Sequence, residues 1–238
     1  MTSKKLLNNL IIASLFIFTT VLSAEVKPKY VASTVRLFQN SEYVRKNPAP
    51  DFWALMPYYV PQQDGSACGI ASMSMLINAA RVHQNLSASD ALVTQKSLVE
   101  KLKIDYSKGL TLDKLGETTK KAILEYGFNG TVEVIHADGT SAQSKKIREL
   151  LIKNEKSDRN FILANYLQSE FTGDPEGAVG HISPVAGFDA KNNKVLLMDV
   201  DREYYEPYWV SLDTFIKGIN TVDQSVKLNR GIVFVEFQ

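Results

Sequence analysis

Cys68 is the only cysteine in the 238 residues, so no disulfide can form within the chain. A lone thiol is either a small buried hydrophobe or a nucleophile, and its surroundings must decide between the two. After the polar, small-residue loop Gln62–Ala67, the run from Gly69 to Val82 places Ile70, Met73, Leu76, Ile77 and Ala80 three and four apart. That is the stripe of a buried helix, and it sets Cys68 at the helix N-terminus, where unpaired N–H groups favour a thiolate. Acyl chemistry at sulfur also needs a base, a group that orients the base, and donors for an oxyanion. His83 follows the same helix, roughly 22 Å away at about 1.5 Å per residue, and is out of reach. His136 sits at a strand end or turn and is expected to face solvent. His181 follows the flexible segment Gly177-Ala178-Val179-Gly180 and opens an apolar strand, which makes it the candidate base. Asp199 ends the apolar run Val195-Leu196-Leu197-Met198, where a carboxylate either turns the chain or orients an imidazole. Gln62, six residues before Cys68, has a side-chain amide that could donate to an oxyanion beside the Cys68 N–H.

The elements that must position these groups fall into two halves. Helical periodicity dominates first: besides the Cys68 helix, Thr111 is expected to cap a helix from Leu112 to Tyr126 stopped by Gly127, and Ser141 to start another through Leu151. Strand-like runs follow at Phe161–Leu167, Ile182–Phe188, Lys194–Val200 and Gly231–Phe237, and Asn192-Asn193 reads as a hairpin turn that brings His181 beside Asp199. Phe52–Pro61, aromatic and bracketed by prolines, reads as an extended lead into the core. Helices first and strands later give an α+β domain in two lobes.

The composition is 45% hydrophobic and 22% charged, with 27 basic and 26 acidic residues scattered along the chain. These values suit one globular domain and leave no basic footprint for nucleic acid or anionic lipid. Lys4 and Lys5 precede an apolar run from Leu10 to Leu22 that ends in Ser23 and Ala24. It is shorter than the roughly 20 residues of a spanning helix and is interrupted by Ser14, Thr19 and Thr20, so residues 1–24 read as a signal peptide. The expectation is an exported protein, periplasmic or secreted, with no membrane segment in its mature form. Residues 25–50, polar and weakly periodic, read as an N-terminal arm, and residues 51–238 as the catalytic domain.

Gln62 with Ser66-Ala67-Cys68-Gly69-Ile70-Ala71-Ser72, Gly180-His181-Ile182-Ser183-Pro184-Val185, and Leu197-Met198-Asp199-Val200 with Arg202, Tyr205, Pro207 and Trp209 together resemble the phytochelatin synthases, a family of the papain-like cysteine peptidase clan. The resemblance spans roughly residues 52–238. It implies a two-lobed papain-like fold, with the nucleophile at the N-terminus of a central helix packed against an antiparallel sheet lobe. It further implies that Cys68 attacks the Cys-Gly bond of glutathione or a related γ-glutamyl peptide, releases glycine and holds a γ-glutamylcysteinyl thioester. Water then gives γ-glutamylcysteine, and a second glutathione gives phytochelatin; the compact form resembles bacterial members, in which hydrolysis dominates. Cys68, His181, Asp199 and Gln62 are the implied catalytic set. Arg230, Arg202, Tyr205 and Gly180 are implied at the substrate, with Arg230 either a surface arginine opening the last strand or a carboxylate clamp.

No resident cofactor or protein-bound metal is implied, and the cysteine-rich C-terminal region of plant members has no counterpart here. Thiol-binding ions such as cadmium or zinc would enter as activators on the substrate thiolate. Oligomeric state is left open, a homodimer included. Two rival readings remain: another papain-clan peptidase, such as a leader-peptide processing protease, and an exported binding module that has lost its chemistry.

Overall fold

The computed structural model describes residues 30–174 and 177–238. The expected signal peptide and the first residues of the arm lie outside the described residues. Within them, helix α3 (Cys68–Arg81) is largely apolar and buried on every side from Cys68 to Ala80, the signature of a helix enclosed by its own domain. Its polar residues are satisfied locally: Ser72 Oγ donates to the carbonyls of Cys68 (2.8 Å) and Ile182 (3.1 Å), and Asn78 exchanges two 2.8 Å bonds with Val93.

Against α3 lies a seven-stranded antiparallel sheet ordered β1-β6-β5-β4-β3-β9-β2. Its strands are β1 (Val35–Arg36), β2 (Gly130–His136), β3 (Asn160–Leu167), β4 (Gly180–Asp189), β5 (Lys194–Met198), β6 (Pro207–Ser211) and β9 (Gly231–Phe237); β7 (Val222–Asp223) and β8 (Leu228–Asn229) form a separate small hairpin. Strand side chains alternate between faces. In β3, Phe161 and Leu163 join the core under α3, and Ile162, Ala164 and Tyr166 join a second core on the opposite face. The α3 core also takes residues of α2 (Pro50–Leu55), α4 (Gln95–Leu102) and α5 (Leu112–Glu125). Helices α6 (Ser141–Asn154), α7 (Ser169–Thr172) and α8 (Leu212–Ile219) cover the other face. The architecture is α+β: a helical layer packed on an antiparallel sheet whose far side is itself roofed by helices.

Several local readings change. Phe52–Pro61 is not extended: Pro50 takes the first helical position of α2, Phe52 and Leu55 are buried three apart, and a 3-10 turn follows at Met56–Tyr58. Proline at a helix start is favourable because its missing N–H has no intrahelical partner there. The described part of the arm is structured, since β1 pairs with β6, α1 (Glu42–Lys46) follows, and Trp209 donates to the Asn40 carbonyl at 2.9 Å. Two helix starts stand as expected: Thr111 caps α5, and α6 begins at Ser141 with Thr140 as its cap. Strand β5 stops at Met198, two residues short of Val200, which leaves Asp199 just beyond the ladder.

Candidate active site

The loop 62–67 reaches α3 through a tight turn. The Ser66 amide donates to Asp64 Oδ1 (2.9 Å) and the Ala67 amide to the Asp64 carbonyl (3.2 Å). Cys68 is the first residue of α3 and is 6% exposed, which places it in the turn whose N–H groups have no helical partner. The β4–β5 hairpin turns through Asn193 at φ 50°. It brings His181, second in β4, to Asp199, with His181 Nε2 2.7 Å from Asp199 Oδ1. A carboxylate oxygen accepts, so Nε2 carries a proton and Nδ1 is the nitrogen left for Cys68, whose thiol is among the groups that favour the protonated ring.

Asp199 is fully buried and surrounded by donors. Its Oδ1 also accepts from the Asp201 amide at 2.9 Å, and its Oδ2 accepts from the hydroxyls of Tyr208 (2.6 Å) and Tyr166 (3.2 Å). Burial pushes the carboxyl up, but the His181 charge and these hydrogen bonds hold it below its ordinary value. Burial likewise opposes a charged His181, yet the Asp199 charge and hydrogen bond, then Cys68, raise its pKa well above the usual imidazole value. The two phenols are raised well above their ordinary range by burial and the Asp199 charge, so they remain donors. Tyr208→Phe, which keeps the ring and removes the shortest bond to Oδ2, is expected to cost about 1.5–3 kcal/mol of stability, the range for hydrogen bonds to charged groups. It should also lower turnover about tenfold. Urea unfolding and a rate assay check both, and wild-type values in each would detach Tyr208 from the support of Asp199.

The other expected residues take different places. Gln62 is 6% exposed, its backbone N–H donates to the Val200 carbonyl at 2.8 Å, and its Oε1 is buried without a partner among the described residues. Arg202 directs Nε to the Gln62 carbonyl (2.9 Å) and Nη2 to the Gln63 carbonyl (3.0 Å). It is a strut for the loop before Cys68. Tyr205 stacks on Tyr59 at 4.4 Å and donates to its carbonyl, while the Tyr59 hydroxyl donates to the Asp199 carbonyl at 2.5 Å. Tyr205 therefore braces the Asp199 segment from behind.

Arg230 and Gly180 line a cavity of about 290 Å³ that opens on Cys68, together with Asn165, Lys108 and Asp223. Arg230 is 7% exposed; it donates through Nη1 to Val222 O (2.7 Å) and Thr221 Oγ1 (3.3 Å), and its buried Nε has no partner among the described residues. It is not the surface arginine of the milder reading. A Cβ on Gly180 would come within 2.9 Å of the guanidinium, so only glycine leaves that space. Gly231 is constrained even more tightly, since a Cβ there would stand 1.9 Å from the Ile135 carbonyl of the adjacent strand. Sequence reasoning missed Asn165, whose buried Oδ1 also has no partner among the described residues. Its signal was there, a lone amide inside the apolar run Phe161–Leu167.

A larger polar groove of about 700 Å³, near Asn40, Lys46 and Asp189, contains none of the candidate catalytic or substrate residues. Among the described residues, no cluster of His, Cys, Asp or Glu could hold a metal, and no helix is long and apolar enough to cross a membrane. The phytochelatin synthase family model matches residues 19–232. Glutathione gamma-glutamylcysteinyltransferase 1 of Lotus japonicus is 25% identical over 201 residues, which cover 82% of this chain and 37% of that protein. Glutathione gamma-glutamylcysteinyltransferase 2 of Arabidopsis thaliana is 24% identical over 82% of this chain and 42% of its own length. The Schizosaccharomyces pombe glutathione gamma-glutamylcysteinyltransferase is 23% identical over 78% of this chain and 43% of its own. The chain thus spans about two fifths of the length of these relatives.

Proposed function

Because this chain belongs to the phytochelatin synthase family, we propose that it cleaves the Cys-Gly bond of glutathione with Cys68 as nucleophile. The observation that carries this reading is the buried His181, held 2.7 Å from a fully enclosed Asp199 and coupled to Cys68, which helps to keep the ring protonated. The Cys68 proton rests on His181 Nδ1, held there by the Asp199 charge, and the sulfur attacks the carbonyl carbon between cysteine and glycine. The tetrahedral oxyanion is stabilised by the Cys68 amide and the Gln62 side chain. On collapse, His181 returns the proton to the glycine amine and the C–N bond breaks, leaving a γ-glutamylcysteinyl thioester on Cys68.

Charge complementarity supports glutathione as the substrate. The tripeptide carries two carboxylates and one ammonium, and the cavity beside Cys68 presents Arg230, Lys108 and Asp223, with the Asn165 Oδ1 left as an acceptor. The cavity is of a size for one such peptide, below the usual range for larger ligands. An acceptor must therefore reach the thioester from the open side, where water competes, so γ-glutamylcysteine is the expected main product. Thiol-binding metals act on the substrate thiolate, and the protein works after export. Incubating the protein with glutathione, with and without cadmium, and identifying products by mass tests the reading: glycine must appear, and unchanged glutathione in every condition would remove it.

Arg230→Lys separates binding from thiol chemistry. A guanidinium fork pairs with a carboxylate through two bonds, whereas an ammonium meets it as a point charge. The loss of one charged hydrogen bond, about 1.5–3 kcal/mol, predicts a roughly 10- to 100-fold fall in kcat/KM for glutathione. Alkylation of Cys68 by iodoacetamide should stay within about twofold, because that reagent needs no clamp. Equal losses in both reactions would mean that the substitution disturbed the fold, and no loss in either would remove Arg230 from the substrate.

A further inference from the structure

His136 was expected to face solvent, but its ring is held at both nitrogens. It closes β2 opposite Gly231; Nδ1 lies 2.5 Å from the Asn229 carbonyl oxygen and Nε2 lies 2.9 Å from Asp113 Oδ1 in the first turn of α5. A carbonyl and a carboxylate both accept only. A neutral imidazole has one N–H and can serve one of them, whereas the imidazolium serves both. The carbonyl so held belongs to the residue before Arg230. The Arg230 amide donates to the Thr221 carbonyl (2.8 Å), and the Arg230 carbonyl accepts from the Ala137 amide (2.8 Å). Asn229 Nδ2 closes the arrangement on the Ala137 carbonyl at 2.7 Å. One ring thus ties the start of α5 and the end of β2 to the two residues that lead into β9.

We propose that His136, doubly protonated between Asp113 and Asn229, is a positioning residue that sets Arg230 for the substrate carboxylate and weakens substrate binding when it loses its proton. The proposal rests on the reading of Arg230 as a carboxylate clamp. Burial acts against the charged ring, but the Asn229 carbonyl and the Asp113 carboxylate together raise its pKa above the ordinary value. Around it, α5 contributes Asp113, whose neighbour Lys114 is paired with Glu117. From α6 comes neutral Gln143, which donates to the His136 carbonyl. The turn after β2 contributes Asp138, occupied by the Thr140 amide and hydroxyl. At the entrance to β9 stand the uncharged Asn229 and then Arg230, whose Nη1 is turned to Thr221 and Val222. Since the folded pKa is raised, the doubly bonded state is complete at low pH and is lost as pH rises through that value.

The test titrates the His136 ring by NMR in the full-length wild-type protein and in Asp113→Asn, and measures KM and kcat for glutathione across the same pH range. We expect the ring to titrate above about 6.5, its ordinary value, and the Arg230 Nε–H resonance to shift with it. KM should rise roughly three- to tenfold through that transition, with kcat and the iodoacetamide rate in Asp113→Asn matching wild type at each pH. In Asp113→Asn the ring titration and the KM rise should move together to lower pH, and His136→Gln should abolish the transition. A ring titrating at or below its ordinary value, an Arg230 resonance indifferent to it, or a KM rise unmoved in Asp113→Asn overturns the proposal. Failure to turn over glutathione at any pH would sink the catalytic reading alone, because both NMR signals are read without substrate.

Discussion

Cys68→Ser is expected to abolish glycine release from glutathione, by roughly 10⁴-fold or more, while the protein stays folded. The rate falls because a hydroxyl is far harder to ionise than a thiol, and removal of a covalent nucleophile is among the most costly single changes an enzyme can undergo. Stability should change by less than about 1 kcal/mol, since the substitution alters one atom at the first position of α3, leaves the backbone bonds of the helix intact and introduces a hydroxyl beside unpaired N–H groups. Thermal unfolding together with a glycine assay separates the two effects. A folded serine variant that keeps more than a small fraction of the activity would mean that the chemistry lies elsewhere.

Asp199→Asn is expected to lower turnover by roughly 10³- to 10⁴-fold, the order seen when a buried carboxylate behind a catalytic imidazole is neutralised. The fold should survive, because an asparagine amide can be accommodated where Asp199 sits. Its Oδ1 can accept from His181 Nε2 and the Asp201 amide, and its Nδ2 can donate to the oxygens of Tyr208 and Tyr166, which can reverse their roles. What disappears is the charge that keeps His181 protonated. In the wild type, the His181 pKa is raised and the Asp199 pKa is lowered. The His181 contribution to stability is therefore complete below about pH 6.5 and is lost as pH rises through the folded value; the Asp199 contribution is complete above about pH 4 and is lost as pH falls through its folded value. The stability difference between wild type and Asp199→Asn should be largest between those two limits. A constant difference from pH 4 to 9, or an unchanged rate, would reduce Asp199 to a turn residue.

The parts of the site that were legible in the sequence are those specified by local pattern. Apolar spacing alone puts Cys68 at the start of a helix, and it is the first residue of α3. The Asn192-Asn193 turn joins two apolar runs, and their antiparallel pairing brings His181 to Asp199. Phe52–Leu55 misled because aromatic content is shared by strands and buried helices, and its helix is started by Pro50 and stabilised by packing. The partners of Arg202, Tyr205 and His136 were hidden for a different reason. Each takes its role from a partner far away in the chain: Arg202 from Gln62 and Gln63, Tyr205 from Tyr59, His136 from Asp113 and Asn229. Periodicity carries no information about such pairs. Asn165 was visible as the amide that interrupts an apolar strand, but its opening into the cavity beside Cys68 depends on the β4-β3-β9 register.

The central claim is that Cys68 carries the acyl group, and the most direct measurement is the mass of the protein after brief mixing with glutathione and an acid quench. The account predicts an adduct equal to glutathione less glycine, mapped to the peptide containing Cys68, released by hydroxylamine and absent in Cys68→Ser. Consumption of glutathione with no adduct on Cys68, or an adduct of intact glutathione released only by a reducing agent, would contradict it.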